Sequence, residues 1–180
     1  AGSISAGSSS LRLGHATDNG TVILNPSSVT MSDTFLFLDG GTVRLGSNGA
    51  LVTDGATTLI DIAAGATLDI NGPARVHNLQ GSGTITNDSG AAASLIVNNS
   101  TASTFSGVVQ DGLSRTSLTK TGADVLTLSG ANSYSGGTQV NGGRLVGTTA
   151  SLQGAIVNNA ALEFAMATGG TFAGALSGSG

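Results

Sequence analysis

The chain has 180 residues, of which 39% are hydrophobic and only 9% are charged, and it carries a net charge of −4. An ordinary soluble domain has about 25% charged residues, so a fold with long exposed helices rich in Lys and Glu is excluded. The six basic residues are scattered singly and form no positive stripe, which argues against nucleic acid as a partner. The absence of cysteine excludes disulfides and thiolate metal sites.

Short apolar runs recur along the chain at a spacing of about 8–12 residues, and Gly, Asn and Asp separate them. This pattern is typical of an all-β sandwich, barrel, propeller or solenoid. In chain order the predicted strands are 21–24, 35–38, 42–45, 50–53, 58–62, 67–70, 75–79, 84–86, 94–97, 105–109, 125–128, 144–146, 155–157 and 161–164.

Local self-similarity favours the solenoid among these folds. The phrases DGATTLIDI and AAGATLDING share Gly-Ala-Thr followed by Leu and Asp-Ile, and LQGSGTITN is echoed by ALSGSG. Similar units at unequal spacing indicate stacked strands with corner loops of variable length. Aromatic residues, at 3%, are too few for a sandwich core but suit a narrow coil filled by Val, Ile and Leu. We therefore predict a right-handed, single-stranded parallel β-helix with about eight rungs of roughly 20–25 residues.

The stretch 118–147, LTKTGADVLTLSGANSYSGGTQVNGGRLVG, contains the only tyrosine and the only lysine in an ordered series of Gly and Asn. It resembles the passenger-associated transport repeat of bacterial autotransporters, with Leu-x-Lys-x-Gly, then Leu-x-Leu-Ser-Gly-x-Asn-x-Tyr-x-Gly-Gly-Thr, then Asn-x-Gly-x-Leu. The matching positions are Leu118, Lys120, Gly122, Leu126, Leu128, Ser129, Gly130, Asn132, Tyr134, Gly136, Gly137, Thr138, Asn141, Gly143 and Leu145. Asp124 stands where the family usually has glycine, and Asp is among the residues that enter left-handed turns.

The resemblance implies that residues 1–180 are a single continuous β-helix segment of a larger passenger. Such a passenger is exported through the periplasm and outer membrane to the bacterial cell surface, or is secreted. Its implied partner is the outer-membrane β-barrel translocator of the same polypeptide, whose long strands and aromatic girdles have no counterpart in this aromatic-poor sequence. The start, AGSISAGSSS, lacks the features of a signal peptide, so any export signal is expected outside the segment.

Three functions follow as hypotheses. The first is a structural and presentation segment, a surface rod whose sequential folding assists secretion and which supports adhesion or virulence. In the second, the rod is itself an adhesin that binds host matrix, glycans or like rods on neighbouring cells through an exposed ladder or patch. The third is a polysaccharide-degrading enzyme of the pectin-lyase type, for which Asp61 and Asp69 would have to stack as paired carboxylates. Acidic clusters are absent, so we expect no enzyme.

We predict no catalytic, cofactor-binding or metal-binding residue. In the repeat, glycines are expected to form corners that no Cβ can enter, and asparagines to bond neighbouring backbone or stack in ladders. These residues are Gly130, Gly136, Gly137, Gly143, Asn132 and Asn141. Tyr134 is expected to pack over a corner with a partner for its hydroxyl, and Lys120 and Asp124 to form an exposed ion pair.

Candidate calcium, metal and ice-binding residues elsewhere are weaker. Residues 121–128 are similar to one calcium-binding nonapeptide of RTX β-rolls, but that motif needs tandem copies. His15 and His77 have no ligand partners at metal-site spacing and are expected on the surface. Thr84 and Thr86 suit a flat ice-binding face, but the sequence shows no ladder of many copies.

Overall fold

A computed structural model describes residues 3–6, 10–17, 19–24, 28–46, 50–54 and 58–180. These residues form 22 β-strands and no helix, and the strand pairs are parallel. The strands stack in three sheets as a β-solenoid, which confirms the predicted fold class. The right-handed winding stays a prediction, in line with the strong preference of parallel crossovers for that hand.

The three sheets are the sides of the solenoid, and successive strands of one sheet belong to successive turns. Sheet A contains β1 (Ser3–Ala6), β4 (Ser28–Ser32), β7 (Ala50–Asp54), β10 (Ala74–Val76), β13 (Ala93–Val97), β16 (Thr116–Lys120), β18 (Thr138–Val140), β20 (Ile156–Asn158) and β22 (Leu176–Ser177). Sheet B contains β2 (Ser10–Leu13), β5 (Phe35–Leu38), β8 (Leu59–Ile62), β11 (Leu79–Gly81), β14 (Ser103–Phe105), β17 (Val125–Leu128), β19 (Arg144–Gly147) and β21 (Ala161–Phe164). Sheet C contains β3 (Thr21–Leu24), β6 (Thr42–Leu45), β9 (Thr67–Asp69), β12 (Thr84–Thr86) and β15 (Val108–Val109).

The eight strands of sheet B wind through about seven turns, which agrees with the predicted number of rungs. Each turn stacks in register on the turn before it, so residues of one kind form columns along the axis. In sheet C the inward column is Val43, Leu68, Ile85 and Val109, each at most 2% exposed. Burial of each such side chain contributes about 1.5–3 kcal/mol, which offsets the conformational entropy lost by short strands.

Sheet C ends in the middle of the chain. Residues 110–180, all of which the structure describes, add no strand to it, and a single bridge between Gln110 and Ser133 follows β15. Bends at 129–137, 148–155 and 165–175 then form the third side of the solenoid. The turn shortens accordingly, because Ala93 pairs with Thr116, 23 residues later, whereas Thr138 pairs with Ile156, only 18 residues later.

Candidate functional site

The stretch 118–146 contains the change from three strands a turn to two. It runs from β16 through β17 to the bend 129–137, and then through β18 and a tight corner to β19. Its leucines point into the coil and are at most 1% exposed: Leu118, Leu126, Leu128 and Leu145. The remaining motif residues are therefore positioned by a stack of aliphatic side chains that the strand alternation places inside.

Asn132 terminates sheet C with its side chain. Its Oδ1 accepts a hydrogen bond from the backbone N–H of Val109 at 2.8 Å, and Ser133 N donates to the Val109 carbonyl at 3.0 Å. Its Nδ2 donates to the Ser151 carbonyl of the following turn at 2.6 Å. The amide thus replaces a missing strand, because a buried N–H without a partner would cost about 1–3 kcal/mol. The expected bonding to neighbouring backbone is confirmed, but the sequence did not predict that this bonding ends a sheet.

Tyr134 fills the inside of the same bend and is 1% exposed. Its hydroxyl lies 2.7 Å from Thr138 Oγ1 and accepts the backbone N–H of Gln153 at 3.2 Å. Burial raises the pKa of Tyr134, although both hydrogen bonds oppose this shift. The predicted packing at a corner, with a partner for the hydroxyl, is confirmed.

The four glycines form corners that exclude a side chain, as predicted. A Cβ on Gly130 or on Gly136 would overlap a carbonyl oxygen of the preceding turn, that of Gly107 or Thr116 respectively. Gly137 and Gly143 have φ angles of 84° and 61°, a region that residues with a Cβ rarely adopt. Their order along the repeat therefore has a structural cause that needs no ligand.

Lys120 is wholly buried, so the predicted exposed ion pair with Asp124 is wrong. It lies in an inward column of sheet A between Val97 and Val140, and its Nζ donates to the carbonyl of Gly122 and, at 3.1 Å, to that of Gly142. Burial lowers the pKa of Lys120 to about 8, although the charge of Asp124 acts in the opposite direction. Strand alternation decides this placement, because position 120 shares a face with the buried Leu118.

Two other positions of the motif bear on the predictions. Asn141 accepts a hydrogen bond from Asn159 Nδ2 at 3.2 Å on the surface, which confirms a short ladder. Asp124 is not in a left-handed turn, since the described residues other than glycine with positive φ are Asp33 and Asn71. Its Oδ1 instead accepts the N–H of Val125 at 2.8 Å, so ordinary backbone accommodates the departure from glycine.

Residues 118–146 match the family model described as passenger-associated-transport-repeat. Residues 118–146 are therefore termed the transport repeat. The match stops one residue before the predicted limit at 147, and the transport repeat together with the β-solenoid fits an autotransporter passenger rod. At a coarse level the repeat implies linkage to a translocator domain and secretion or surface exposure. Comparisons with curated proteins and with solved structures found no match.

Asp111 joins the transport repeat to the corner that precedes it, and sequence reasoning missed this residue. Its Oδ1 accepts the N–H of Thr116 at 2.7 Å and that of Ser135 at 3.0 Å. Burial raises the pKa of Asp111, but the hydrogen bonds from Ser135 and Thr116 and the charge of Arg115 outweigh it, so the net pKa is lowered. The Asp-Gly pair at 111–112 was a signal for a turn, but nothing in the sequence indicated its partner two dozen residues later.

We expect this contact to weaken in acid. The pKa of Asp111 in the folded chain lies below its ordinary value of 3.8. The ionised carboxylate therefore contributes fully to the free energy of unfolding above pH 3.8, and this contribution is lost as the pH falls through the folded pKa. Asp111→Asn keeps an acceptor for both amides and does not titrate. The free energy of unfolding of both proteins is measured with urea at several pH values. As the pH is lowered from 6 to 2, the parent should become less stable relative to Asp111→Asn. A difference that stays constant over this range would contradict the assignment.

Asp61 and Asp69 do not stack. They belong to sheets B and C of one turn, because LIDI and LDI are successive sides of that turn and not the same side of successive turns. Asp61 Oδ2 accepts from Gln80 Nε2 at 2.8 Å, whereas Asp69 is fully buried and lies 2.5 Å from Arg44 Nε. The pair of carboxylates that the pectin-lyase hypothesis requires is therefore not formed.

The histidine predictions are half right. His15 is exposed, as predicted, and its Nδ1 lies 3.2 Å from Thr17 Oγ1. His77 is buried at a corner between sheets A and B, with Nδ1 2.5 Å from the Thr53 carbonyl and Nε2 3.2 Å from Asn98 Nδ2. The corner repeats in every turn, so residues of the turns on either side cover the imidazole.

The described residues contain no group of three or more His, Cys, Asp or Glu side chains that could hold a metal ion, and 121–128 is part of the transport repeat.

Thr84 stacks in register on Thr67, Thr42 and Thr21, a file that the sequence did not reveal. Thr86 pairs with Asp69 and not with another threonine. The outer face of sheet C therefore has one row of threonines and lacks the second row that a flat ice-binding face requires. Within the part of the chain that the structure describes, there is no helix of the length and apolarity required to cross a membrane.

Proposed function

We propose that this chain is a structural and presentation segment of an autotransporter passenger, a surface rod whose sequential folding assists secretion across the outer membrane. One observation carries the proposal: in all three sheets each strand pairs with strands of the adjoining turns. In such an array a turn is stabilised as soon as it stacks on its neighbour, so folding can proceed one turn at a time. That residues 1–180 form one continuous segment of a larger passenger is part of the same proposal.

The transport repeat adds contacts that join consecutive turns. The Lys120 amine connects the corner at Gly122 to the corner at Gly142 in the following turn. Asn132 connects β15 of the preceding turn to Ser151 of the following one. Both contacts require stacked turns, so the repeat favours a folded block over partly folded intermediates. Each further turn that leaves a narrow pore folds against this block. Its folding lowers the free energy of the chain, and this biases the movement of the chain outward without ATP.

The test uses a full-length autotransporter that carries this segment. Scrambling residues 118–145 should reduce the amount of passenger at the cell surface at least several-fold, because the block no longer forms. Surface passenger is measured by antibody labelling and protease accessibility of intact cells, normalised to total passenger. Asn141→Ala, which removes only an exposed ladder contact, is the matched control and should leave display unchanged. Normal display of the scrambled chain would refute the proposal.

A second candidate, adhesion to a host or neighbouring cell, is favoured by apolar side chains on the outer faces. Phe35 on sheet B is 44% exposed and Val157 on sheet A is 37% exposed. Contiguous exposed apolar groups mark contact surfaces, and Phe35 has a second phenyl ring, that of Phe37, beside it. Through such contacts the rod would also support virulence. We also propose that the segment is not an enzyme, a view supported by the separate positions and existing partners of Asp61 and Asp69.

A further inference from the structure

The outer face of sheet B contains two of the six aromatic side chains. Phe35 and Phe37 project outward from β5 because Leu36 and Leu38, which alternate with them, are buried. Their rings are 6.2 Å apart, centroid to centroid, with planes 16° from parallel. A rod with a narrow core has no structural need for aromatic rings outside it.

One face of Phe37 is already occupied. The Arg12 guanidinium lies over it, with Cζ 4.5 Å from the ring centroid, and Arg12 Nη1 donates to Asp39 Oδ2 at 3.1 Å. The strand register pairs Arg12 with Phe37 and Ser10 with Phe35. Because the two rings are nearly parallel, the described residues place only the short, exposed side chain of Ser10 against the face of Phe35 that corresponds to the face of Phe37 under the guanidinium.

The polar groups around this ring face are mixed and nearly neutral. Arg12 and Asp39 cancel in charge, and one guanidinium N–H of five is used in their contact. Ser10 adds an exposed hydroxyl on the same side, whereas Asp61 lies opposite Phe37 on the other side, in the next turn, where it accepts from Gln80. Arg12 repels a further cation, and the Asp39 carboxylate paired with it repels an anion. A pyranose ring without charge suits this set, since it has an apolar C–H face and an edge of hydroxyls that donate and accept.

We propose that the Ser10 side of Phe35, bordered by Ser10 and Arg12, is a subsite for a neutral hexose residue of a glycan. The sugar's C–H face packs on the phenyl ring, and its hydroxyls accept from Arg12 N–H groups and bond the Ser10 hydroxyl. The outer face of sheet B continues along the axis through Asp61 and Gln80, so further residues of the glycan lie along the rod. The subsite deepens the adhesive candidate and is independent of the role in secretion.

The experiment titrates maltohexaose, cellohexaose and mannohexaose into the ¹⁵N-labelled chain and follows amide shifts. At least one should bind with a dissociation constant of about 1 mM, since a single exposed ring and a few hydrogen bonds support only weak affinity. Shifts should concentrate at 10–13 and 35–38. Phe35→Ala should weaken binding at least tenfold, and Phe35→Tyr, which keeps the ring, should restore it. The oligosaccharides should be recovered at full length, as expected of a chain without enzymatic activity.

Ile23→Ala is the matched control, because Ile23 is an apolar side chain 58% exposed on sheet C, and it should leave binding unchanged. Thermal unfolding verifies that each variant is folded. The proposal is overturned if none of the three oligosaccharides binds, or if Phe35→Ala binds as tightly as the parent. It is also overturned if an arginine-rich peptide, and no sugar, shifts these amides in a Phe35-dependent way, since that assigns a cation site. None of these outcomes affects surface display, so failure here is distinguishable from failure of the secretion proposal.

Discussion

Asn132→Ala is expected to lower the free energy of unfolding by about 2–4 kcal/mol. The substitution removes the acceptor for Val109 N–H and the donor to the Ser151 carbonyl, and both groups are buried. Each unpaired buried group costs about 1–3 kcal/mol, whereas a lost surface contact costs little. Urea unfolding of the 180-residue chain, followed by circular dichroism, measures the change.

Asn141→Ala provides the comparison for this experiment. Both residues are asparagines of the same repeat, but Asn141 bonds Asn159 on the surface, so its loss should change stability by about 0.5 kcal/mol or less. Equal effects of the two substitutions would show that Asn132 is not the residue that ends sheet C. A local effect should also appear in hydrogen exchange, where the Val109 amide loses protection in Asn132→Ala before the amides of sheets A and B do.

The second large effect concerns pH. The folded pKa of Lys120 is about 8, against an ordinary value of 10.5, so between these values the unfolded chain binds more protons than the folded one. The free energy of unfolding therefore rises with pH in this window, by at most about 1.4 kcal/mol per pH unit. The neutral amine still has two N–H donors for its two carbonyl partners, so deprotonation relieves the buried charge and keeps both bonds. Between pH 7.5 and pH 9.5 we expect the protein to gain about 1–2 kcal/mol.

Lys120→Met removes the titration and keeps an unbranched side chain of similar length, so its stability should change little over the same range. The chain has no cysteine and no other lysine, which leaves few side chains that change charge in this window. Above pH 10 the trend should reverse, because the pKa of Tyr134 is raised and the stability it contributes is lost as the pH rises further. Parallel pH profiles for the parent and Lys120→Met would contradict a buried, charge-disfavouring position for Lys120.

Together these contacts identify the transport repeat as a junction. Before it, a turn has three strands; after it, a turn has two strands and a bend. A change of cross-section would leave the last strand of sheet C with open backbone groups, which are costly when buried and prone to mispairing when exposed. Asn132 and Ser133 form hydrogen bonds with this strand, and Tyr134 packs inside the coil beside it. One short motif therefore stabilises the change from three strands a turn to two.

Strand positions were predictable where one apolar run stayed on one side of the solenoid. The runs 21–24, 35–38, 42–45, 84–86, 125–128 and 161–164 coincide with observed strands. The predicted strand 75–79 is instead divided between β10 and β11, and 105–109 between β14 and β15. Inward residues on both sides of a sharp corner read as one apolar run, so periodicity alone cannot locate the corner. Strands with serine or threonine at inward positions, such as β16 and β18, were missed for the related reason that hydropathy did not mark them.

The sequence by itself determined the fold class, the approximate number of turns and the motif at 118–146, because composition, turn residues and ordered glycines are local properties. It also determined the roles of Gly137 and Gly143, whose positive φ angles disfavour any residue with a Cβ whatever surrounds them. The tertiary structure alone decided which residues meet across turns. Lys120 is buried, Asp61 and Asp69 lie apart, and Asn132 ends a sheet because register and corner length set each residue's neighbour some 18–25 residues away. Those offsets vary from turn to turn, so no fixed period in the sequence encodes them.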